Sequence, residues 1–183
     1  GIRTLTITAV TQNAFVDAHT KLTTTSPEVA AGLWLEDGDI FVQRSNAPEL
    51  VGTAARYSGR GGWAIFPDLL IRLRADETVV DSRYLVAALR TERAHRELRK
   101  KAKGLSGSMP KIDQSAIGTT NIPVPDLSEQ RRIVAELDVA SEMYNKLKAS
   151  INVAQNRARV LRASLLISAF SGRLSPNVKE LIR

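Results

Sequence analysis

Cysteine is absent from the 183 residues, and histidine occurs only twice, at His19 and His95. Without cysteine the chain can form neither disulfides nor thiolate sites. The two histidines are far apart in sequence and have no cysteine near them, so we expect no zinc site and no other metal centre. The lack of cysteine also fits a reducing compartment, and we expect the cytoplasm.

Long apolar runs and catalytic signatures are missing as well. No run of 18 apolar residues occurs, so we expect no membrane span, and no signal-peptide pattern is visible. The sequence contains no G-x-S-x-G, P-loop or dinucleotide-binding fingerprint, and no Asn/Asp-Pro-Pro-Tyr/Phe tetrapeptide of an amino-methyltransferase. Pro67-Asp68 resembles the start of a nuclease carboxylate motif, but no lysine follows Asp76-Glu77 at the required place. We predict a binding protein and keep a metal-dependent nuclease as a minor alternative.

The charge balance is strongly basic. Lysine and arginine total 26 against 19 aspartates and glutamates, which gives a net charge of +7 and a pI near 10.0. Such a balance favours a polyanionic partner, nucleic acid above all. Ordinary solubility is the alternative explanation of this charge.

Hydrophobic periodicity predicts an α+β fold class with two parts. Residues 1–127 are predicted to form a compact domain with a curved, mostly β-sheet core and short helices. Its predicted strands are 3–10, 40–42, 50–57, 63–74 and 119–124. A hairpin tip is expected at 58–62, a loop at 20–32, a helix over 81–103 capped by Asp81, and a short helix at 112–117. One long coiled-coil-forming α-helix follows over 128–172, and 173–183 form a tail.

The long helix carries an apolar seam whose steps alternate between four and three residues, as at the a and d positions of a coiled coil. Ser128 is its expected N-cap and Gly172 its expected stop, and about 42 residues would span roughly 63 Å. Acidic residues dominate 129–142 and basic residues 143–170, so an identical antiparallel helix would be complementary, although the helix macrodipole favours the same gradient. The predicted partner interface comprises Ile133, Leu137, Tyr144, Leu147, Ile151, Ala158, Leu161 and Leu165.

Two segments of the first part carry residues suited to DNA. The predicted helix 81–103 is rich in arginine and lysine and leads into the glycine- and serine-rich segment 104–111, whose small residues let amides approach phosphates. Gln43-Arg44-Ser45-Asn46 follows a strand, and glutamine, arginine and asparagine are the types that bond to base edges. The alternatives are a solvated helix face and a polar loop at a strand end. The predicted DNA-binding residues are Gln43, Arg44, Ser45, Asn46, Arg56, Tyr57, Arg60, Arg96, Lys103, Ser106, Ser108 and Lys111.

The order of these segments resembles one half of the DNA-specificity (S) subunit of type I restriction-modification systems. Residues 35–40, Leu-Glu-Asp-Gly-Asp-Ile, are similar to the family's L-x-x-G-D-I strand entry. Tyr84-Leu85 with Leu89-Arg90 resembles its Y-L…L-R helix, and 104–112 its glycine loop. The most specific segment runs from Ile122-Pro123-Val124-Pro125 through Glu129-Gln130-Arg131-Arg132-Ile133-Val134. Residues 161–174 resemble the end of the family's spacer helix.

The resemblance implies a target recognition domain followed by a conserved spacer helix. A complete S subunit has two such halves, each of which reads one part of a split double-stranded DNA sequence, while their helices pack antiparallel. The resemblance further implies methyltransferase (M) subunits, which hold S-adenosylmethionine, and restriction (R) subunits as partners. We expect a non-catalytic chain that binds no cofactor and is either a fragment or a natural half-subunit that forms a homodimer. The alternative is a coiled-coil interaction scaffold with a generic nucleic-acid-binding domain.

Overall fold

The structure is a computed structural model that describes residues 1–11, 14–104, 109–171 and 173. The chain divides into two compact units, Gly1–Val134 and Ala135–Arg183. The first unit holds the strands and the short helices, and the second consists mainly of one helix. Among the described helices, none has both the length and the apolar character needed to span a membrane.

A two-stranded antiparallel sheet opens the first unit. β1 (Ile2–Leu5) pairs with β2 (Thr20–Thr23), with Ile2 opposite Thr23 and Leu5 opposite Thr20. The predicted strand 3–10 is therefore wrong beyond Leu5, because residues 7–10 form a 3-10 turn. The predicted loop 20–32 is also wrong, since it contains β2 and α1 (Pro27–Ala30). The threonines of β2 suit a strand, but only the pairing with β1 realises that preference.

The central sheet has the strand order β4-β3-β5 and is antiparallel throughout. β3 (Ile40–Gln43) lies between β4 (Ala54–Arg56) and β5 (Leu70–Leu73). All four residues of β3 are buried, because its alternate side chains enter different cores. Ile40 and Val42 pack with residues of the helices, and Phe41 packs in a second cluster with Leu5 and Tyr57.

This strand order corrects one prediction. Because β4 and β5 pair with opposite edges of β3, the segment 58–62 between them is not a hairpin tip. The two strands are also shorter than the predicted 50–57 and 63–74.

The turn that leads into β3 is held by a buried carboxylate. Asp39 is only 1% exposed, and its Oδ2 accepts from the Glu36 amide at 2.9 Å. Its Oδ1 accepts from Nε of Arg74, just after β5, at 2.7 Å. Gly38 has a φ of +89°, a conformation that glycine tolerates best. Asp39 thus links the turn before β3 to the end of β5, and Gly38 allows the turn its conformation.

Three short helices cover one face of the central sheet. The predicted helix 81–103 is two helices, α2 (Ser82–Leu89) and α3 (Glu92–Lys101), because the Thr91 hydroxyl caps a new helix at the Ala94 amide. Asp81 caps α2 as predicted, accepting from the Arg83 amide at 2.8 Å. α4 (Gln114–Gly118) begins two residues after the predicted start at 112, with Asp113 as its cap. Residues 119–124 form no strand, contrary to prediction.

The last helix, α5 (Leu127–Phe170), has 44 residues, which at about 1.5 Å per residue is roughly 66 Å. Its N-cap is Asp126 and not the predicted Ser128, because Oδ1 of Asp126 accepts from the Glu129 amide at 3.0 Å. Gln130 and Val134 are buried in the first unit. The expected stop at Gly172 lies outside the described residues.

Candidate nucleic-acid interface

The loop that follows β3 is held from inside by Gln43. This side chain is fully buried, and its Nε2 donates to the Ile7 carbonyl at 3.1 Å and to the Thr11 hydroxyl at 3.3 Å. Its Oε1 accepts from Nδ2 of Asn46 at 2.7 Å, and Oδ1 of Asn46 accepts from the Ala47 amide at 2.8 Å. The Gln43 side chain is therefore not accessible to DNA, and the side-chain amides of Gln43 and Asn46 hold the loop in its conformation. This corrects the prediction that Gln43 contacts bases.

Arg44 is the exposed residue of the segment 43–46, and its backbone is hydrogen-bonded through both its amide and its carbonyl. Its amide donates to the Leu69 carbonyl at 2.8 Å, and its carbonyl accepts from the Ile112 amide at 2.8 Å. Nη1 makes only a long bond of 3.4 Å to the Asp68 carbonyl. The guanidinium lies at the edge of a cleft of about 640 Å³ that also involves Phe66. Arg44 thus presents a cation from a rigid backbone.

Lys103 and Lys111 are brought next to this loop by backbone pairing. Each lysine donates its amide to the carbonyl of the other at 2.8 Å, and Lys111 also forms a bridge with Ser45. Ser45 is buried, so only its backbone contributes to this surface, and its predicted contact with DNA is corrected. Lys103 and Lys111 are exposed, as is Arg44. We call these three exposed cations the ladder cations, because backbone bridges place the segments that carry them side by side.

Asp113 adds an acid beside the ladder cations. Nζ of Lys103 lies 3.4 Å from its Oδ2, although the Lys103 side chain stays 84% exposed. The hydrogen bond from the Ala116 amide lowers the pKa of Asp113, and Lys103 lowers it further. A pair this exposed contributes little stability, so Lys103 can exchange this partner for a phosphate.

The basic helix predicted from sequence divides into structural and exposed cations. Arg90 donates from Nε to the Ala54 carbonyl at 3.0 Å, and its burial lowers the pKa of the guanidinium. Lys101 bonds to Glu97 at 2.8 Å and thereby lowers the pKa of that carboxyl. Arg96 pairs with Glu92 at 3.0 Å across one turn and stays exposed. The exposed basic residues of α3 are Arg93, Arg96, Arg99 and Lys100.

The remaining predicted DNA contacts lie at the other end of the central sheet. Arg56 is paired with Ile40, the first residue of β3, whereas Arg44 follows the last, about 13 Å further along the strand. Nε of Arg56 donates to the Ser82 hydroxyl at 2.9 Å. Tyr57 is buried, with its hydroxyl between Trp63 and the Arg60 carbonyl, which corrects its predicted contact with DNA. Arg60 is exposed there, so the structure does not bring these residues together with Arg44. Ser106 and Ser108 lie outside the described residues.

Two of the three carboxylates considered for a nuclease, Asp76 and Glu77, accept hydrogen bonds from nearby residues of the chain. Asp76 accepts from the Thr78 amide and hydroxyl at 3.0 and 2.6 Å, and Glu77 accepts from the Ser82 amide at 3.3 Å. Within the described part of the chain, no group of three or more metal-binding side chains comes together.

Comparison with known proteins identifies the family. No protein-family model matches the chain. The type I restriction enzyme StySPI specificity subunit of Salmonella potsdam is 30% identical over 142 residues, which are 77% of this chain and 30% of that protein. The HsdS subunit from Thermoanaerobacter tengcongensis has a TM-score of 0.67 at 22% identity, over 87% of this chain and 40% of that one. The chain belongs to the type I specificity subunits.

A second solved structure supports the same fold. A chain from a type I R-M system has a TM-score of 0.65 at 18% identity and matches 93% of this chain and 38% of its own length. The protein thus spans less than half of the specificity subunits it matches, as predicted for one half of such a subunit. The predicted α+β fold with a long C-terminal helix is confirmed.

The seam of this specificity subunit is exposed along most of α5. Ile133 is the exception, because it packs against the buried cluster of Tyr84, Ala88 and Val134 in the first unit. The next seam residue, Leu137, is 44% exposed, and Tyr144 is 62% exposed. The other predicted interface residues are likewise exposed: Leu147, Ile151, Ala158, Leu161 and Leu165.

Sequence reasoning missed three residues with roles inside the fold. Asp113 lies beside Lys103, Arg72 lies 4.9 Å over the Phe66 ring in the cleft that Arg44 lines, and Gln130 is buried at the start of α5. The sequence did contain a signal for Gln130, which stands between Glu129 and Arg131 in the first turn of the helix. A glutamine side chain can satisfy several backbone groups at once, so this position was a candidate for a buried amide. No signal in the sequence points to Asp113 or Arg72.

Proposed function

We propose that the chain recognises a specific double-stranded DNA sequence as the specificity component of a type I restriction-modification complex. The observation that carries the proposal is the set of ladder cations, Arg44, Lys103 and Lys111, which are exposed on segments paired through their backbones. Membership of the specificity-subunit family supports it independently. A phosphate backbone attracts such cations whatever the sequence, so specificity needs a further element.

Arg44 is the proposed base-reading residue. Its backbone is fixed by hydrogen bonds of 2.8 Å on both sides, so binding would cost little backbone entropy. A guanidinium presented in this way can bond in bidentate fashion to guanine. Lys103, Lys111 and the exposed arginines of α3 are the proposed phosphate contacts. Gln43, Ser45 and Asn46 act indirectly, by holding the loop.

The helix α5 is the proposed docking element for partner proteins. Beyond the seam, four β-branched residues recur on one side of it at intervals of seven or fourteen: Val139, Val153, Val160 and Ile167. All four are at least half exposed, and Met143, at 66%, lies between them and the seam. At 100° per residue the two apolar rows together span about 160°, with Glu136, Ser150, Arg157 and Ser164 also between them, whereas a two-stranded coiled coil covers only the narrower seam.

We assign the two rows to different partners. The seam would pair with an antiparallel helix of a second copy, whose acidic end would face the basic half of the first. The second stripe would dock a methyltransferase subunit, and restriction subunits would join that core. S-adenosylmethionine is proposed to bind to the methyltransferase subunit, while this chain binds no cofactor and acts in the cytoplasm.

Selection from a random duplex library, with the methyltransferase subunit present at physiological salt, tests the proposal. A short recovered motif is the expected result. Arg44→Ala should relax one position of that motif, and Arg60→Ala, at the other end of the sheet, is the matched control. Uniform recovery of all sequences, with binding that depends only on salt, would instead indicate an interaction scaffold with a generic nucleic-acid-binding domain.

A further inference from the structure

Gln130 is an unusual residue for the first turn of a helix, because it is fully buried. Glutamine is mostly exposed in folded proteins, and a buried amide must satisfy all its polar groups. Oε1 of Gln130 accepts from the Asp81 amide at 2.8 Å. Nε2 donates to the Val79 carbonyl at 3.0 Å and to the Pro125 carbonyl at 2.7 Å. All the hydrogen-bonding groups of the side chain are thus directed at backbone.

These bonds join three segments, one of which lies about 50 residues before Gln130 in the sequence. Gln130 itself belongs to α5, Val79 and Asp81 precede α2, and Pro125 lies in the proline-containing segment just before α5. Asp81 has two roles here, because its side chain also caps α2 at the Arg83 amide. One side chain therefore links the beginnings of two helices.

The surroundings of this link are apolar and contain one further bond. The Tyr84 hydroxyl donates to the Pro123 carbonyl at 2.8 Å. Tyr84 and Val134 pack in a buried cluster against which Ile122 and Ile133 also lie. Hydrogen bonds in such an environment are not exchanged readily for bonds to water, so the first two turns of α5 belong to the domain.

We propose that Gln130 is a positioning residue that couples the recognition domain to the spacer helix. α5 continues without a break from Leu127 to Phe170, so a residue that locks its first turn limits how freely the domain can turn about the helix. The functional consequence, which rests on the proposed function, concerns the gap between the two parts of the recognised DNA. Loss of the lock makes the protein tolerant of gaps that the wild type rejects.

The test compares Gln130→Leu with Gln155→Leu, which makes the same replacement at an exposed position of the same helix. Hydrogen exchange of the isolated chain reports the lock directly. We expect the Asp81 amide and those of residues 131–134 to exchange about tenfold faster in Gln130→Leu, in keeping with the loss of one hydrogen bond. The backbone amides of buried residues of α2, such as Val86 and Leu89, should exchange as slowly in both variants as in the wild type.

Gap tolerance is measured on the complex with the methyltransferase subunit. Duplexes carry the selected bipartite site with its gap lengthened or shortened by one base pair. Such a change should weaken binding about tenfold for the wild type and Gln155→Leu, and less than threefold for Gln130→Leu, because a loose link lets both domains engage. Unfolding alone would lower binding to all gaps by the same factor and leave the ratio unchanged.

Two results would overturn the inference. One is unchanged exchange at Asp81 in Gln130→Leu, and the other is faster exchange with wild-type gap preference. If the wild type selects no DNA sequence, the proposed function fails and the exchange measurement still decides whether Gln130 locks the helix. Should Gln130→Leu not fold, Tyr84→Phe removes only the neighbouring bond to Pro123 and must show a smaller change in the same direction.

Discussion

Replacing Gln43 by leucine separates the residues that shape the loop after β3 from those proposed to read DNA. Leucine has nearly the same volume, so the change removes hydrogen bonds without opening a large cavity. Three side-chain bonds disappear, to the Ile7 carbonyl, the Thr11 hydroxyl and the Asn46 amide. Asn46 then lacks the partner that orients it toward the Ala47 amide.

The size of the effect follows from these bonds. Each intramolecular hydrogen bond contributes about 0.5–1.5 kcal/mol net, so three together account for roughly 2–4 kcal/mol of unfolding free energy. With a urea m-value of about 2 kcal/mol/M, the unfolding midpoint should fall by about 1–2 M. Arg44→Ala should leave the midpoint nearly unchanged, because the side chain is exposed and makes only one long internal bond.

Urea unfolding and library selection on both variants complete the assay. Gln43→Leu is expected to lose stability and to select the wild-type motif at lower affinity. Arg44→Ala is expected to keep its stability and to lose about 1–3 kcal/mol of discrimination at one base pair. A Gln43→Leu protein of wild-type stability, or one that prefers a different base, would refute the structural role assigned to Gln43.

Three further predictions concern other parts of the molecule. Lys103→Ala should weaken binding to all sequences alike and reduce the salt slope by about one, which titration at several salt concentrations measures; a changed base preference would contradict this. Leu147→Asp should abolish helix pairing or methyltransferase docking while the first unit stays folded, as judged by light scattering and circular dichroism; an unaltered assembly would argue against the seam. The Ala116 amide lowers the pKa of Asp113, and the Ser128 hydroxyl lowers that of Asp126. Because both folded pKa values lie below the unfolded value of about 3.9, the two carboxylates contribute their full stability above that pH and lose it as the pH falls through the folded pKa. NMR titration of the two carboxyl groups measures these pKa values, and a normal or raised value for either would contradict the prediction.

Local signals were sufficient for several elements of the fold. β3 follows a turn whose Gly38-Asp39 pair is visible in the sequence, and Asp81 is a strong N-cap before a helical pattern. The seam without a slip predicted one long helix of about 42 residues, and α5 has 44. In each case the deciding interactions lie within a few residues along the chain.

Predictions failed where distant partners decide the structure. Residues 20–23 become a strand because β1 pairs with them, and 119–124 remain outside the sheet although their composition suits a strand. The helix expected over 81–103 breaks at Thr91, whose hydroxyl competes as a cap. The segment 58–62 is not a hairpin, because β3 inserts between β4 and β5.

The candidate site divides in the same way. Net charge and residue types indicated a basic, DNA-binding domain followed by a helix with an apolar seam, since composition and periodicity are properties of the chain alone. Which basic segments adjoin depended on backbone pairs between residues about 8 and 66 positions apart, Lys103 with Lys111 and Ser45 with Lys111. From the sequence, Gln43 was a candidate DNA contact and Gln130 an ordinary residue of the long helix. In the structure both side chains are buried, and hydrogen bonds to the backbone of distant residues satisfy their amides. Polarity can be read from a sequence, whereas the partner that satisfies a polar group is known only when the chain is folded.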